Sequence, residues 1–144
     1  MPYAILRFAK RKAGAVSAIN KHNERTKEAY KSNPDIDIAK NDFNYHLIKA
    51  QQSYRKEINQ RIEKAGCKTR RDSVVMVETL ITASPEFMIS LSSSDQRLYF
   101  QQAFDFMKDK IGEENIISAT VHMDEKTPHM HLSFVRGAVF RLRG

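Results

Sequence analysis

The sequence contains very little cysteine, since Cys67 is the single thiol among 144 residues. One cysteine excludes an intramolecular disulfide, and it excludes a zinc site built from two or four cysteines. A chain without disulfides is typical of a reducing compartment. The sequence also lacks any run of eighteen apolar residues and any N-terminal apolar stretch of the signal-peptide kind. We therefore expect a cytoplasmic protein that has no membrane partner.

Other recognisable patterns are missing as well. The sequence has no internal repeat, no low-complexity tract and no glycine-rich phosphate loop, and the last absence argues against a hydrolase of small phosphates. A length of 144 residues with 41% hydrophobic residues suffices for one domain with its own core. The 24 Lys and Arg residues outnumber the 17 Asp and Glu residues, which gives a net charge of +7. This surplus favours a polyanionic partner such as nucleic acid, with a merely basic soluble protein as the alternative.

Hydrophobic periodicity predicts an alternation of strands and helices. Strands are predicted over Tyr3–Phe8, Ser73–Thr82, Ile116–Met123 and His129–Val135. Helices are predicted over Ala15–Lys31, Gln51–Ala65 and Ser93–Ile111, with Gly66 and Gly112 as stops and with capping-box spacing between Ser93 and Gln96. Lys10–Gly14 is expected to be a basic turn, Asn33–Asp35 a break, and the stretch up to Lys49 a loop or short strand. The order predicts an α+β fold in which helices pack on one face of a mainly antiparallel sheet.

Three of the five histidines lie within ten positions near the end of the chain. In the last predicted strand, His129, His131 and Ser133 share one face, while Met130, Leu132 and Phe134 share the other. The preceding strand has an apolar face of Ile117, Ala119, Val121 and Met123, and a polar face of Ser118, Thr120 and His122. A hairpin across Asp124–Pro128 would therefore bring three imidazoles together on one polar patch.

Three neutral imidazoles with open positions remaining are typical of a catalytic metal site. The donor set suits Zn, Mn, Fe, Co, Ni or Cu, so it does not select the metal. Asp124 and Glu125 in the connecting turn could orient a histidine or bind the metal themselves. The alternative is a set of ordinary hydrogen-bonded histidines, which is the usual state of a single histidine on a strand.

The block from His122 to His131 resembles the metal motif of the Pre/Mob (MobV-type) plasmid recombination and mobilisation relaxases. The residues between its two ends that match this motif are Asp124, Glu125, Thr127, Pro128 and His129. These enzymes belong to the His-hydrophobic-His (HUH) endonuclease superfamily, and Met130 is the hydrophobic residue. Two more segments resemble the family in the same order: Lys12–Gly14 followed by Lys21–Arg25, and Asn44-Tyr45. The resemblance extends from about residue 2 to Val135.

The resemblance implies metal-dependent, strand-specific nicking and joining of DNA at an origin of transfer, through a 5′ phosphate that stays covalently on the protein. It implies His122, His129 and His131 as ligands of Mn²⁺ or Mg²⁺, with Zn²⁺ as an alternative. Histidine is the nucleophile in this branch, which implies His22 and leaves Tyr45 as the rival. Glu125, Glu24 or Asp124 would hold His22 in the right tautomer, and the catalytic pair expected here is His22 with Glu125.

The expected partner is single-stranded or hairpin DNA, to which accessory mobilisation proteins are commonly added in such systems. Tyr45 could stack on a base. Arg25, Arg70 and Arg71, together with Lys10, Arg11 and Lys12, are candidate phosphate contacts, although each alone could be a solvated surface charge.

The chain departs from the family pattern in two places. Ile111 stands where the family often has tyrosine, and residues 136–144 do not resemble the family. We therefore expect a relaxase domain over residues 1–135 that is truncated at its C-terminal side and followed by a non-matching tail. Two alternatives stay open: a replication-initiator-type HUH endonuclease with another nucleophile, and a non-catalytic remnant that still binds DNA or metal.

Overall fold

The computed structural model describes residues 2–25 and 43–135, which form one sheet, four α-helices and a short 3-10 turn. The strands are β1 (Ala4–Lys12), β2 (Tyr45–Ile48), β3 (Val74–Ala83), β4 (Ile116–His122) and β5 (His129–Phe134). The helices are α1 (Ala13–Asn23), α2 (Tyr54–Ala65), α3 (Pro85–Ser90) and α4 (Ser93–Ile111), and the 3-10 turn is Glu113–Asn115. Within these residues, no helix combines the length and the apolar character that crossing a membrane requires.

The five strands form an antiparallel sheet in the order β1-β3-β5-β4-β2. The predicted hairpin of the last two strands is confirmed, and it occupies the middle of the sheet because β3 pairs with the free side of β5. The short strand β2 closes one edge and the nine-residue β1 forms the other. The predicted α+β class is confirmed, and so is the predicted element order apart from the additional helix α3.

The helices lie on both faces of the sheet, whereas the sequence led us to expect them on one. Alternate residues of β3 show the division, because Val77 joins a core with Phe100 and Phe104 of α4. Its neighbour Met76 joins a second core, with Val16 of α1 and residues of α2. The apolar face is thus covered by α3 and α4, while α1 and α2 cover part of the histidine face. An amphipathic helix pattern shows that a helix packs, but it does not show on which face.

An irregularity at the start of β4 changes the face of the sheet on which one residue lies. The pairing register between β4 and β5 shifts between Ile116 and Ser118. Ile116 consequently packs in the α4 core together with Ala119, while Ile117 packs in the core beneath α1 and α2. The prediction that Ile117 shares a face with Ala119 and Val121 was therefore wrong.

Several element boundaries also differ from the prediction. Strand β1 continues to Lys12, so the expected basic turn over Lys10–Gly14 is strand and the beginning of α1. Helix α1 ends at Asn23, and the expected break at Asn33–Asp35 lies outside the described residues. Pro85 begins the short helix α3, an element that the sequence analysis did not predict. Proline is well suited to a first helical position, because the N–H that it lacks would have no partner there.

The caps of the two longer helices follow local chemistry. Gly66 ends α2 in the left-handed conformation with φ 68°, as predicted from its position. The cap of α4 is Ser92, one residue before the Ser93 that the capping-box spacing indicated. The Ser92 Oγ accepts a hydrogen bond from the Asp95 backbone N–H at 3.2 Å.

Replacing Ser92 with alanine should lower the free energy of unfolding by about 1 kcal/mol, because one N–H of the first turn of α4 loses its acceptor. Ser93→Ala is the matched control, since Ser93 already lies inside the helix and should change stability by less than about 0.5 kcal/mol. Urea denaturation followed by circular dichroism measures both. Equal losses in the two variants would contradict the assigned cap.

Candidate metal centre

The three predicted histidines lie together where β4 meets β5. His122 is the last residue of β4 and pairs directly with His129, the first residue of β5. His131 projects from the same face two residues later. The ring centroids lie 5.3 Å (His122–His129), 4.8 Å (His122–His131) and 4.9 Å (His129–His131) apart. One nitrogen from each ring lies within 4.8 Å of the others, so the three can share one ion.

Each imidazole is oriented by a hydrogen bond through its other ring nitrogen. The contacts are His122 Nε2 to the Asn23 carbonyl at 2.8 Å, His129 Nδ1 to the Thr127 carbonyl at 2.9 Å, and His131 Nδ1 to Glu78 Oε1 at 2.8 Å. Carbonyl and carboxylate oxygens accept here, so the three nitrogens donate and the remaining nitrogens carry lone pairs. This arrangement is typical of metal-binding histidines, whose second nitrogen is held by such acceptors.

The burial and the hydrogen bonding of His122 indicate whether the site fits a metal ion. Its side chain is fully buried, and its Nδ1 has no hydrogen-bond partner. Burial, together with His131 and Arg25 nearby, lowers the pKa of His122 to about 2, so the ring stays neutral at physiological pH. Burial also lowers the pKa of His129. A neutral imidazole with an unshared lone pair is the metal-binding form. The three residues therefore fit a divalent transition-metal ion.

Glu78 is a site residue that the sequence analysis missed. Burial raises the pKa of this carboxyl, but the hydrogen bond from His131 and the nearby charges of His131, Arg11 and His22 together lower the pKa by more. Glu78 also lies 3.6 Å from the Nε of Arg11. The available signal was a single carboxylate inside the otherwise uncharged β3, where an acidic side chain is stable only with a partner.

Arg25 is not on the surface, where a phosphate contact was expected. Its guanidinium forms two bonds to Asp124, of 2.7 and 2.9 Å, and one of 2.9 Å to Glu125 Oε1. The side chains of Arg25 and Asp124 are 5% and 0% exposed. Arg25 Nη1 also donates to the His22 carbonyl at 2.7 Å. The structure therefore places Arg25 as a clamp between the end of α1 and the turn that joins β4 to β5.

The backbone of Arg25 has φ 54°, in the left-handed region that residues with a side chain seldom adopt. Such a residue costs about 1–2 kcal/mol unless its surroundings compensate. Asn44 adds to the same clamp, because its amide donates to Asp124 Oδ2 at 2.9 Å and its carbonyl oxygen accepts from the Met123 N–H at 2.6 Å. The turn is thus held from two distant segments of the chain.

His22 lies on the last turn of α1 and faces the histidines of the candidate metal centre. Its ring centroid is 6.1 Å from that of His122 and 5.9 Å from that of His131. The cavity between them has a volume of about 270 Å³. It is lined by His22, Glu125, His129 and His131, and by Leu80 and Thr82 of β3. Burial, and then the nearby Arg25, lower the pKa of His22, which favours its neutral form.

Of the three carboxylates considered for orienting His22, only Glu125 lines this cavity. Asp124 is held by Arg25, and Glu24 points to another cluster. Glu24 accepts from the Tyr54 hydroxyl at 2.6 Å and contacts His46 Nε2 at 2.8 Å. Burial raises the pKa of Glu24, but the bonds from His46 and Tyr54 outweigh it and lower the pKa overall. This cluster anchors the end of α1 to α2 and β2.

Tyr45 lies on the opposite face of the sheet from the histidines. It pairs with Val121 of β4, packs against the α4 core, and has the Arg97 guanidinium 4.0 Å from its ring centre. Burial raises the pKa of its hydroxyl. The geometry therefore does not bring Tyr45 to the cavity that holds His22.

Arg70 and Arg71 are exposed in the turn before β3. The cavity instead faces Leu80 and Thr82, in the second half of that strand. The two arginines are therefore not part of the site, and their role as phosphate contacts elsewhere on the surface stays a prediction.

Comparison with known proteins identifies relatives over most of the chain. Residues 1–139 match the sequence profile of the Mob_Pre family, described as plasmid recombination enzyme. A plasmid recombination enzyme of Bacillus thuringiensis is 43% identical over 132 residues, which cover 90% of this chain and 29% of the relative. A type 3 enzyme of Staphylococcus aureus is 37% identical over 140 residues, with 94% and 34% covered. The chain thus spans about a third of the length of these curated relatives.

Solved structures give the same grouping. The chain is similar to the Mn-bound MobM relaxase domain (MOBV; Mob_Pre) in complex with plasmid pMV158 oriT DNA, with a TM-score of 0.87 and 34% identity over 94% of this chain and 72% of that one. A MobM relaxase domain bound to 26-nucleotide oriT DNA gives a TM-score of 0.73 and 31% identity, with 92% and 68% covered. The domain boundary at Val135 stays a prediction.

Replacing Arg25 with methionine should lower the free energy of unfolding by about 3–5 kcal/mol, because Asp124 is left buried without its counter-charge. The exposed Arg71→Met removes the same charge and should cost less than about 0.5 kcal/mol. Urea denaturation at neutral pH compares the two. A loss below 1 kcal/mol for Arg25→Met would show that the buried ion pair does not hold the turn in place.

Proposed function

Because the chain belongs to the plasmid recombination enzyme (Mob_Pre) family, we propose that it nicks and rejoins one DNA strand at a plasmid origin of transfer. The observation that carries the proposal is one cavity lined by His22 together with His129 and His131, two members of the three-histidine cluster. A candidate nucleophile and a candidate metal site thus face the same small volume. The proposed substrate is single-stranded or hairpin DNA, and the similar MobM relaxase domain is bound to plasmid oriT DNA.

His122, His129 and His131 would hold the metal through the nitrogens that are not engaged with Asn23, Thr127 and Glu78. Mn²⁺ or Mg²⁺ is proposed, since the similar MobM relaxase domain is Mn-bound. When bound, the ion neutralises charge on the non-bridging oxygens of the scissile phosphate. The hydrogen bonds to the second nitrogens keep the three rings aimed at one point before any ion arrives.

His22 is proposed as the nucleophile. Its lowered pKa favours a neutral ring, which offers a lone pair without a strong base. A ring nitrogen forms a bond to the scissile phosphorus, and the bond from phosphorus to the 3′ oxygen breaks. The 3′ oxygen takes up a proton, and the 5′ phosphate stays on the imidazole. Because the phosphate remains activated on the protein, the 3′ hydroxyl can later attack it and reseal the strand.

Glu125 is proposed to accept the proton that His22 loses as the new bond forms. It lines the cavity with His22, and Arg25 holds its Oε1 at 2.9 Å. Its Oε2 lies 3.5 Å from His129 Nε2. The Arg25 clamp therefore fixes this carboxylate beside the nucleophile, while the same guanidinium holds the His22 backbone.

The position of Tyr45 argues against a tyrosine-dependent enzyme of the replication-initiator type. Its ring packs on the face of the sheet opposite the histidines. Tyr54, the tyrosine near α1, is fully buried and donates its hydroxyl to Glu24. Neither hydroxyl faces the cavity, which supports His22 as the nucleophile.

His22→Ala should abolish nicking of supercoiled plasmid that carries candidate origins, whereas Tyr45→Phe should nick at a rate within about twofold of the wild type. The reason is that, of these two side chains, only His22 lines the cavity. Gel electrophoresis in the presence of Mn²⁺ counts open circles, and mass spectrometry identifies the residue linked to the 5′ phosphate. A DNA adduct on Tyr45 would overturn the assignment. Binding of DNA and metal without nicking by the wild type would favour the non-catalytic alternative.

His129→Ala should lose Mn²⁺ binding, whereas Glu125→Gln should keep it and still lower the nicking rate by about 10²-fold or more, since it removes a proton acceptor but no ligand. Electron paramagnetic resonance titration counts free Mn²⁺ in the presence of each variant. Retained Mn²⁺ binding by His129→Ala would disprove the ligand set. Full nicking by Glu125→Gln would disprove the role of the carboxylate.

A further inference from the structure

Arg7 lies on the histidine face of β1, the edge strand nearest the cavity. It pairs across the strand with Leu80 of β3, and Leu80 pairs in turn with His131 of β5. Three neighbouring strands thus bring Arg7, Leu80 and His131 into one line on the same face. Since adjacent strands are about 4.8 Å apart, the Arg7 Cα lies roughly 10 Å from the Cα of His131.

Among the ion pairs of the described residues, none involves Arg7, whereas the neighbouring arginines each have an acidic partner. Arg11, four residues later on the same face, lies 3.6 Å from Glu78, and Arg25 is held by Asp124. Arg7 is exposed, and among the residues described it takes part in none of the ion pairs. It is therefore an unneutralised guanidinium at the border of the cavity.

One wall of the cavity belongs to β3, the strand that pairs with β1. Leu80 and Thr82 form its β3 wall, and their partners across the strand are Arg7 and Ile5. A polyanion that places one phosphate at the histidines therefore has Leu80 beneath it and Arg7 beyond. Arginine binds phosphate oxygens through two parallel N–H bonds, and the half-buried Leu80 offers an apolar surface to a sugar or a base.

We propose that Arg7 binds a phosphate of the DNA strand that neighbours the scissile phosphate, so that the strand crosses Leu80 toward the β1 edge. This inference rests on the proposed function and adds the direction in which the strand leaves the cavity. It also replaces Arg25 as the arginine that contacts the backbone beside the metal centre, because the guanidinium of Arg25 is buried in its ion pair.

The test compares Arg7→Ala with Lys110→Ala in the full chain. Lys110 is exposed on α4, the helix that covers the face of the sheet opposite the histidines. Fluorescence anisotropy with labelled single-stranded oligodeoxythymidine, in EDTA to prevent nicking, gives Kd over a range of salt concentrations. Arg7→Ala should weaken binding about tenfold and reduce the slope of log Kd against log salt by about 0.7, whereas Lys110→Ala should change neither.

Arg7→Lys separates charge from shape. It should keep most of the salt slope while binding less tightly than the wild type, because one ammonium group replaces the paired N–H donors. Thermal unfolding should be the same for all three variants, since Arg7 and Lys110 are exposed. If Arg7→Ala binds and depends on salt as the wild type does, the inference is wrong. If the wild type fails to bind single-stranded DNA, the proposed function itself fails.

Discussion

The ion pair between Arg25 and Asp124 joins two residues that are 99 positions apart, and the geometry of the site depends on it. Arg25 holds the turn between β4 and β5 through Asp124 and Glu125, and it holds the end of α1 through the His22 carbonyl. Because both charges are buried, removing either one would leave the other unpaired at high cost. The clamp thus sets the distance between the candidate nucleophile and the three clustered histidines, and it offsets the unfavourable φ of Arg25 itself.

The two faces of the sheet have different physical tasks. Beneath α4, apolar side chains such as Phe100 and Leu132 form a core that keeps the central hairpin rigid. The other face carries buried polar groups, and most of them have partners, such as Glu24 with Tyr54 and Glu78 with His131. One nitrogen of His122, Nδ1, has no hydrogen-bond partner and is therefore available to a metal ion. The three clustered histidines lie on paired strands, which fix the distances between them. His22 instead lies on α1, a helix that packs on the same face of the sheet.

The histidine cluster could be predicted from the sequence because it depends on residues that are close together along the chain. Strand alternation places His129 and His131 on one face, and a short turn places His122 beside them. Predictions failed where a small shift or a distant partner decided the outcome. A one-residue irregularity in β4 moved Ile117 to the other core, and the cap of α4 proved to be Ser92, one residue earlier than the spacing indicated. The polar partner of His131, Glu78, comes from a strand 53 positions earlier.

By itself the sequence determined the α+β class, the order of the elements, the three histidines and their relation to a relaxase family. Periodicity and short spacings encode all of these, since each depends on residues that are near one another along the chain. Only the tertiary structure decided that Arg25 is buried, that Tyr45 faces away from the site and that Arg7 borders it. These outcomes depend on which strands become neighbours and which face each helix covers. No local pattern encodes that choice, because it follows from packing the whole sheet.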